Sequence, residues 1–151
     1  MWLINLFSKT MDTMTQTFNA TADELAPICN FVTEKAQVMC TDNRKIYALC
    51  LAIDEIATNI IRYGYGSPGI TDDKIDVTII TGENALTVIL EDDALPFDPM
   101  PHTLSANNDI NTPIEGRPTG GLGIMLAQQS VDEFKYEYAN HKNRNIFIIN
   151  L

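Results

Sequence analysis

Hydrophobic positions between Asn43 and Gly66 recur at steps of three and four residues, the period of a helix stripe packed on a core (Ile46, Leu49, Ile53, Ile56, Ile60). Glu55 and Asn59 are four residues apart, so their side chains lie on one helix face, roughly opposite that stripe. Small residues stand where a solvated face would carry Lys and Glu (Ala48, Ala52, Ala57). The stretch predicts one helix ending at a glycine pair, with a polar face that something approaches closely. An ordinary solvated face is the alternative interpretation of this pair taken alone.

The residues before this helix predict a strand and a first helix. Residues 14–19 alternate and are rich in Thr and Phe, which is typical of a strand. Thr21 and Glu24 have the spacing of a capping box, so we expect Thr21 to cap a helix that runs to about Met39. A turn and cap at residues 41–43 then separate it from the central helix.

After Gly66 the hydrophobic period changes to that of strands. Residues 74–81 and 85–91 predict two strands joined by a turn at residues 82–84. Residues 100–119 are polar and carry three prolines, and loops of this length tend to be functional lids. A helix is predicted at residues 124–131.

The C-terminal part predicts a closing hairpin, with strands at residues 133–138 and 145–150 and a turn at residues 139–144. The order is therefore β-α-α-β-β-loop-α-β-β. It predicts an α+β fold, a two-layer sandwich with helices on one face of a mixed or antiparallel sheet. Residues 14–151 form one domain in this interpretation, and residues 1–13 are an N-terminal extension or an edge strand.

Composition narrows the functional classes. The chain has 151 residues and a net charge of −10, which argues against nucleic acid and an anionic membrane surface as partners and permits a basic protein partner. Three cysteines without CxxC spacing indicate neither a disulfide framework nor a zinc site. With no signal peptide or membrane-length apolar run in the sequence, we expect a cytoplasmic protein.

Two further motifs carry candidate chemistry. The glycine-rich turn at residues 120–123 precedes a helix, whose N-terminal N–H groups can hold phosphates without basic side chains. An acidic segment at residues 91–99, EDDALPFDP, follows a buried strand, where an Asp can accept a hydrogen bond from an exocyclic amine. Each motif taken alone is also compatible with an ordinary tight turn or a solvated acidic turn.

Together, AIDEIATNIIRYGYG, EDDALPFDP and GGLGIMLAQQSVDEFKY resemble the N, G1 and G2 boxes of the GHKL (Bergerat) ATPase superfamily. Within that superfamily they look like the anti-sigma factor serine-protein kinases of bacteria. The resemblance spans residues 14–151. No phosphoacceptor-helix, sensor or transducer segment resembling those of histidine kinases, gyrase or Hsp90 accompanies the three boxes.

The resemblance implies a role for each matching residue. Asn59 would coordinate Mg²⁺, and Glu55 would act as the general base toward a seryl hydroxyl. Asp92 would bind the adenine amine of ATP, with Ala94 beside it in the same box. The phosphates would lie in a cradle of four further residues: Gly120, Gly121, Leu122 and Gly123.

Two positions depart from the family pattern. Ala94 stands where the family usually has a glycine, and its methyl group could crowd the adenine edge. Tyr63 stands where these kinases often have His.

The resemblance implies an ATP-dependent kinase that phosphorylates a serine of an anti-anti-sigma partner and otherwise sequesters a sigma factor, and a homodimer is expected. Two alternatives stay open. One is a GHKL-fold module that binds a partner without phosphotransfer, which Ala94 and the short lid favour. The other is an ATP hydrolase that uses Glu55 to activate water.

Overall fold

Five strands and three helices make up the part of the chain that the computed structural model describes, residues 11–65, 73–99 and 121–151. The chain order confirms the prediction, and every neighbouring strand pair is antiparallel. The α+β class is confirmed as well. The elements are β1 (Asp12–Asn19), α1 (Leu25–Met39), α2 (Asn43–Asn59), β2 (Lys74–Thr81), β3 (Ala85–Asp92), α3 (Gly121–Ser130), β4 (Glu133–Ala139) and β5 (Lys142–Asn150).

The sheet has the order β1-β2-β3-β5-β4, so β3 lies at its centre. Alternate residues of the three inner strands are fully buried, as expected for a sheet covered on one face: Ile75, Val77, Leu86, Val88, Leu90 and Phe147. The register sets Asp92, the last residue of β3, opposite Asn143 of β5. Both residues line the candidate site.

The central helix α2 contacts α1 on one side and α3 on the other. Its predicted Ile stripe is buried, which confirms the helix and its core face. The alanines have a different role from the expected one, because Ala52 and Ala57 are fully buried in the core while Ala48 is only partly exposed. The close approach that these small residues permit is therefore largely helix packing.

The α-helical part of α2 ends at Asn59, earlier than the glycine pair at which the prediction ended it. A π-helical turn, Ile60–Gly64, continues the chain, and the N–H of Tyr65 donates to the carbonyl of Ile60 at 3.0 Å. Such turns insert one extra residue and are frequent at functional sites. The local sequence gives no signal for it. Gly66 lies outside the described residues.

The helix starts differ in part from the sequence prediction. Asp42 caps α2 as expected, because its carboxylate accepts the N–H of Arg44 at 3.0 Å. The capping box is wrong: the side chain of Thr21 makes no capping hydrogen bond, and a short 3-10 turn, Ala22–Glu24, precedes α1 instead. The third helix, α3, begins at Gly121, three residues earlier than predicted, so Gly123 lies in its first turn.

The closing hairpin has a shorter turn than predicted. Asn140 and His141 both have positive φ values, 54° and 61°, as a two-residue type I′ turn requires. Asn and His tolerate this conformation better than most residues. The strand β5 consequently begins at Lys142, three residues earlier than predicted, and includes Asn143.

Two predictions fall partly or wholly outside the described residues. The strand β1 begins at Asp12, but residues 1–10 are not described, and the predicted lid at residues 100–119 lies outside as well. Among the helices that are described, none combines the length and the apolar character needed to cross a bilayer.

Candidate functional site

A pocket of about 350 Å³, part of it open to solvent, lies where the ends of α2 and β3 meet. The pocket is lined mainly by apolar residues, and four polar residues complete the lining. The apolar lining consists of Ile56, Ile60, Ala94, Leu95, Phe97 and Pro99, and the polar lining of Asn59, Asp92, Asn143 and Asn145.

Asp92 is the buried carboxylate of this pocket, with 2% of its surface exposed. Its Oδ1 atom accepts hydrogen bonds from Asn143 Nδ2 at 2.9 Å and from the N–H of Ala94 at 3.0 Å. Its Oδ2 atom is buried and has no hydrogen-bond partner among the described residues. Burial raises the pKa of Asp92, and the two hydrogen bonds only partly offset that effect.

Asn143 holds the segment that follows Asp92. Its Nδ2 group also donates to the carbonyls of Ala94 and Leu95, both at 3.1 Å. Its Oδ1 atom accepts the N–H of Phe97 at 3.1 Å and the hydroxyl of Tyr136. The sequence prediction missed Asn143 because it placed this residue in a turn. Recognising Asn140 and His141 as a two-residue turn would have placed Asn143 in the strand, opposite Asp92.

Tyr65 fixes the same segment from the other side. Its hydroxyl accepts the N–H of Asp93 at 2.8 Å and donates to the carbonyl of Lys74 at 2.9 Å. Burial raises the pKa of Tyr65 to about 12, so the hydroxyl keeps its proton for the second bond at neutral pH. No sequence signal links these residues, because the contact joins positions far apart in the chain.

Two asparagines add unpartnered polar atoms to the pocket. Nδ2 of Asn59 and Oδ1 of Asn145 are buried without a hydrogen-bond partner in the described part of the chain, as is Oδ2 of Asp92. A buried polar atom left unpaired costs about 1–3 kcal/mol, and such atoms are rare in folded proteins. Three of them around one apolar pocket indicate a polar ligand. Asn145 was also missed by the sequence prediction.

Glu55 lies at the rim of this arrangement, and it is not among the described residues that line the pocket. Its carboxylate packs against the first turn of α3: a Cβ atom added to Gly123 would lie 2.1 Å from Oε2 of Glu55. Glycine is therefore required at position 123 if Glu55 is to keep this position.

Part of the predicted phosphate cradle lies within the described residues, and its Gly123 packs against Glu55. Gly121 and Leu122 open α3 together with Gly123, where the backbone N–H groups of a helix have no partners within the helix. Gly120 lies outside the described residues. Asn59, Asp92 and Ala94 thus line one pocket, and Glu55, one helical turn before Asn59 on α2, packs against the start of α3.

Ala94, the departure from the family pattern, packs against a glycine. A Cβ atom added to Gly64 would lie 2.9 Å from the Cβ atom of Ala94. The methyl group of Ala94 therefore occupies space that Gly64 leaves open. Tyr63, the other departure, is half-exposed and does not line the pocket.

We expect Gly64→Ala to destabilise the protein by about 1–3 kcal/mol, because the added methyl group overlaps Ala94 in a packed site. Ala94→Gly in the same chain should recover most of this loss, while Ala94→Gly alone should have a smaller effect. Urea denaturation of the two single variants and the double variant measures the coupling. Strictly additive effects would show that the two residues do not share this space.

Comparisons with known proteins identify the family of this chain. The family profile described as "Histidine kinase-like ATPase domain" matches residues 18–149. The chain is 30% identical over 95 residues to the serine-protein kinase RsbW of Bacillus cereus (strain ATCC 10987 / NRS 248), and 31% identical over 90 residues to RsbW of Bacillus mycoides (strain KBAB4). Each match covers 56% of this chain and 52% of the relative, so the chain spans about half the length of the curated relatives it matches.

The fold also has a counterpart of known structure. A crystal structure of RsbU and RsbW domains from Mycobacterium tuberculosis superposes with a TM-score of 0.63 over 91% of this chain and 32% of that one, at 14% identity. That likeness concerns the fold alone. Because the family profile covers most of the sequence, this chain belongs to the histidine kinase-like ATPase domain family, and within it is similar to the RsbW serine-protein kinases.

Proposed function

We propose that this chain is an ATP-dependent serine-protein kinase that binds Mg-ATP, phosphorylates an anti-anti-sigma protein and sequesters a sigma factor. The observation that carries the proposal is the buried Oδ2 atom of Asp92, which lies in an apolar pocket and has no hydrogen-bond partner among the residues that the structure describes. A carboxylate oxygen in this setting is suited to accept a hydrogen bond from the exocyclic amine of adenine. The similarity to RsbW kinases supports the same assignment.

The base and the phosphates of the nucleotide would contact two different kinds of surface. The apolar side chains beside Asp92 would contact the faces of the base, and Asn143 and Tyr65 would hold the 92–97 segment in the binding geometry. The phosphates would lie at the first turn of α3, where Gly121 and Gly123 leave the backbone N–H groups accessible. An acidic protein can bind a polyanion in this way, because the donors are amides.

Asn59 fits the role of a Mg²⁺ ligand. Asn59 lines the pocket at the end of α2, and its Nδ2 atom is buried with no hydrogen-bond partner in the described part of the chain. The two orientations of an asparagine amide have the same shape, so either the oxygen or the nitrogen can face the pocket. Mg²⁺ takes oxygen ligands and shares them with phosphates, and when bound it would neutralise charge on the phosphate oxygens.

Glu55 would serve as the general base. It lies on the same face of α2 as Asn59 and against the start of α3, so its carboxylate is next to the proposed phosphate site. There it would accept the proton of a seryl hydroxyl while that oxygen attacks the γ-phosphate in line. Because Gly123 has no side chain, the carboxylate of Glu55 has room to occupy this position.

The proposal extends to the setting of the protein. The net charge of −10 suits a partner with a basic surface. We propose that it acts in the cytoplasm as a homodimer and contacts neither nucleic acid nor a membrane. These points rest on the sequence and the resemblance.

Thermal melting with and without Mg-ATP tests the nucleotide site. At about one hundred times its dissociation constant, Mg-ATP should stabilise the protein by about 2.7 kcal/mol. Asn59→Ala should abolish most of this shift, while Asn30→Ala, on the exposed side of α1, should leave it unchanged. No shift in the unmodified protein would refute ATP binding and would favour the partner-binding module. Phosphate release without any protein acceptor would favour an ATP hydrolase.

A further inference from the structure

Two thiols meet between α1 and α2, away from the nucleotide pocket. The Sγ atom of Cys29 lies 3.7 Å from the carbonyl oxygen of Cys50, and the Sγ atom of Cys50 lies 3.8 Å from the carbonyl oxygen of Cys29. Each sulfur thus reaches the other residue's backbone. Both thiols are free, and both residues are partly exposed. Neither residue lines the pocket.

The surroundings of the pair are polar on one side. The hydroxyl oxygen of Thr33, one helical turn beyond Cys29, lies 3.1 Å from the Sγ atom of Cys50. The remaining cysteine, Cys40, is buried, and its thiol donates to the carbonyl of Asp42 at 3.6 Å. Two of the three thiols of the chain are therefore paired in space, and the third has a separate environment.

We propose that Cys29 and Cys50 are a dithiol site that a peroxide converts into an intramolecular disulfide joining α1 to α2. The reciprocal sulfur-to-carbonyl contacts, together with the side-chain interaction between the two thiols, place both sulfur atoms in one small space between the helices, as disulfide formation requires. The inference does not depend on the proposed kinase activity, because no residue of the pair belongs to the nucleotide site.

The chemistry assigns a different role to each thiol. A hydrogen bond from the side chain of Cys29, supported by the hydroxyl of Thr33, lowers the pKa of Cys50 to about 6 despite its partial burial. The same pairing raises the pKa of Cys29. Cys50 is therefore the thiol of the pair that loses its proton more readily, and the thiolate is the nucleophilic form of cysteine.

The reaction balances in two steps. The thiolate of Cys50 attacks one oxygen of the peroxide, the O–O bond breaks, and the products are a sulfenic acid and hydroxide. The sulfur of Cys29 then attacks the sulfur of the sulfenic acid, and its proton leaves with the hydroxyl group as water. Two thiols lose two electrons in total, and one hydrogen peroxide becomes two waters once the hydroxide takes up a proton.

Peptide mapping tests the proposal on the full chain. The reduced, folded protein is treated with about one equivalent of hydrogen peroxide, then unfolded and alkylated with N-ethylmaleimide. We expect the Cys29 and Cys50 peptides to appear joined and unalkylated, with the mass of two hydrogens lost, while Cys40 is alkylated. Cys40→Ser should give the same cross-link, and Cys29→Ser and Cys50→Ser should reduce it to background.

The other outcomes overturn the proposal. Full alkylation of Cys29 and Cys50, a cross-link that includes Cys40, a link between two chains, or oxidation that stops at a sulfinic acid on Cys50 would each exclude the dithiol site. The same peroxide treatment in urea shows whether the folded structure directs the pairing, because an unfolded chain should form all three possible disulfides. Equal yields of the Cys29–Cys50 link in both conditions would also refute the site.

Discussion

Asp92→Asn is expected to stabilise the ligand-free protein at neutral pH and to remove the stabilisation given by Mg-ATP. The asparagine can still accept the hydrogen bonds from Asn143 and Ala94 through Oδ1. It carries no charge, so the cost of burying a carboxylate disappears. In place of the free Oδ2 acceptor it presents an amide donor, which faces the amine of adenine with the wrong polarity.

The pH dependence of stability gives a second measure of the same residue. Because burial raises the pKa of Asp92 in the folded protein, the carboxyl group contributes its full stability below about pH 4, the unfolded range for Asp. That contribution is lost as the pH rises through the higher folded pKa. Asp92→Asn removes this loss, so the advantage of the variant should be largest at neutral pH and should vanish in acid.

Urea denaturation from pH 4 to 8, combined with melting in Mg-ATP, measures both effects. Asp93→Asn is the matched control, because Asp93 is exposed and pairs only at the surface with Lys142 at 3.1 Å. Asp93→Asn should change neither the pH dependence of stability nor the stabilisation by Mg-ATP substantially. If Asp92→Asn retains the stabilisation by Mg-ATP, Asp92 does not bind adenine. If Asp92→Asn is less stable than the unmodified protein at neutral pH, the charge of Asp92 stabilises the folded protein.

Glu55→Gln is expected to lower phosphotransfer to an anti-anti-sigma acceptor by about 10²–10⁴-fold, the usual contribution of a general base. Glutamine has nearly the same shape but cannot accept the seryl proton at neutral pH. The Mg-ATP stabilisation should persist, because Glu55 does not line the pocket. Transfer of labelled γ-phosphate measures the reaction, and Glu34→Gln, on an exposed position of α1, is the control.

Gly123→Ala tests whether the position of Glu55 matters as well as its charge. The new methyl group would fall 2.1 Å from Oε2 of Glu55, so the flexible carboxylate must move away. We expect folding to be retained and phosphotransfer to fall, although less than in Glu55→Gln. Undiminished transfer in Glu55→Gln would show that Glu55 is not the base, and undiminished transfer in Gly123→Ala alone would show that the carboxylate acts from elsewhere.

The sequence determined the elements because helix and strand periods are local properties. The Ile stripe of α2 identified a buried helix, and the bounds of β2 were predicted to the residue. The order of elements gave the α+β class. Turn chemistry and caps were less certain: Asp42 behaved as a cap, but Thr21 did not, because an N-cap depends on the path of the chain before the helix as well as on residue type.

Only the tertiary structure brought together residues that local patterns cannot connect. Asn143 meets Asp92 because the sheet register pairs their strands, and Tyr65 reaches Asp93 because a π-helical turn redirects the end of α2. Cys29 and Cys50 meet through the packing of two helices. Such contacts depend on how separate elements pack, and periodicity within one element holds no information about its partner. The sequence by itself therefore determined the fold class and the main candidate residues, whereas the packing decided which polar atoms face the pocket and which thiols meet.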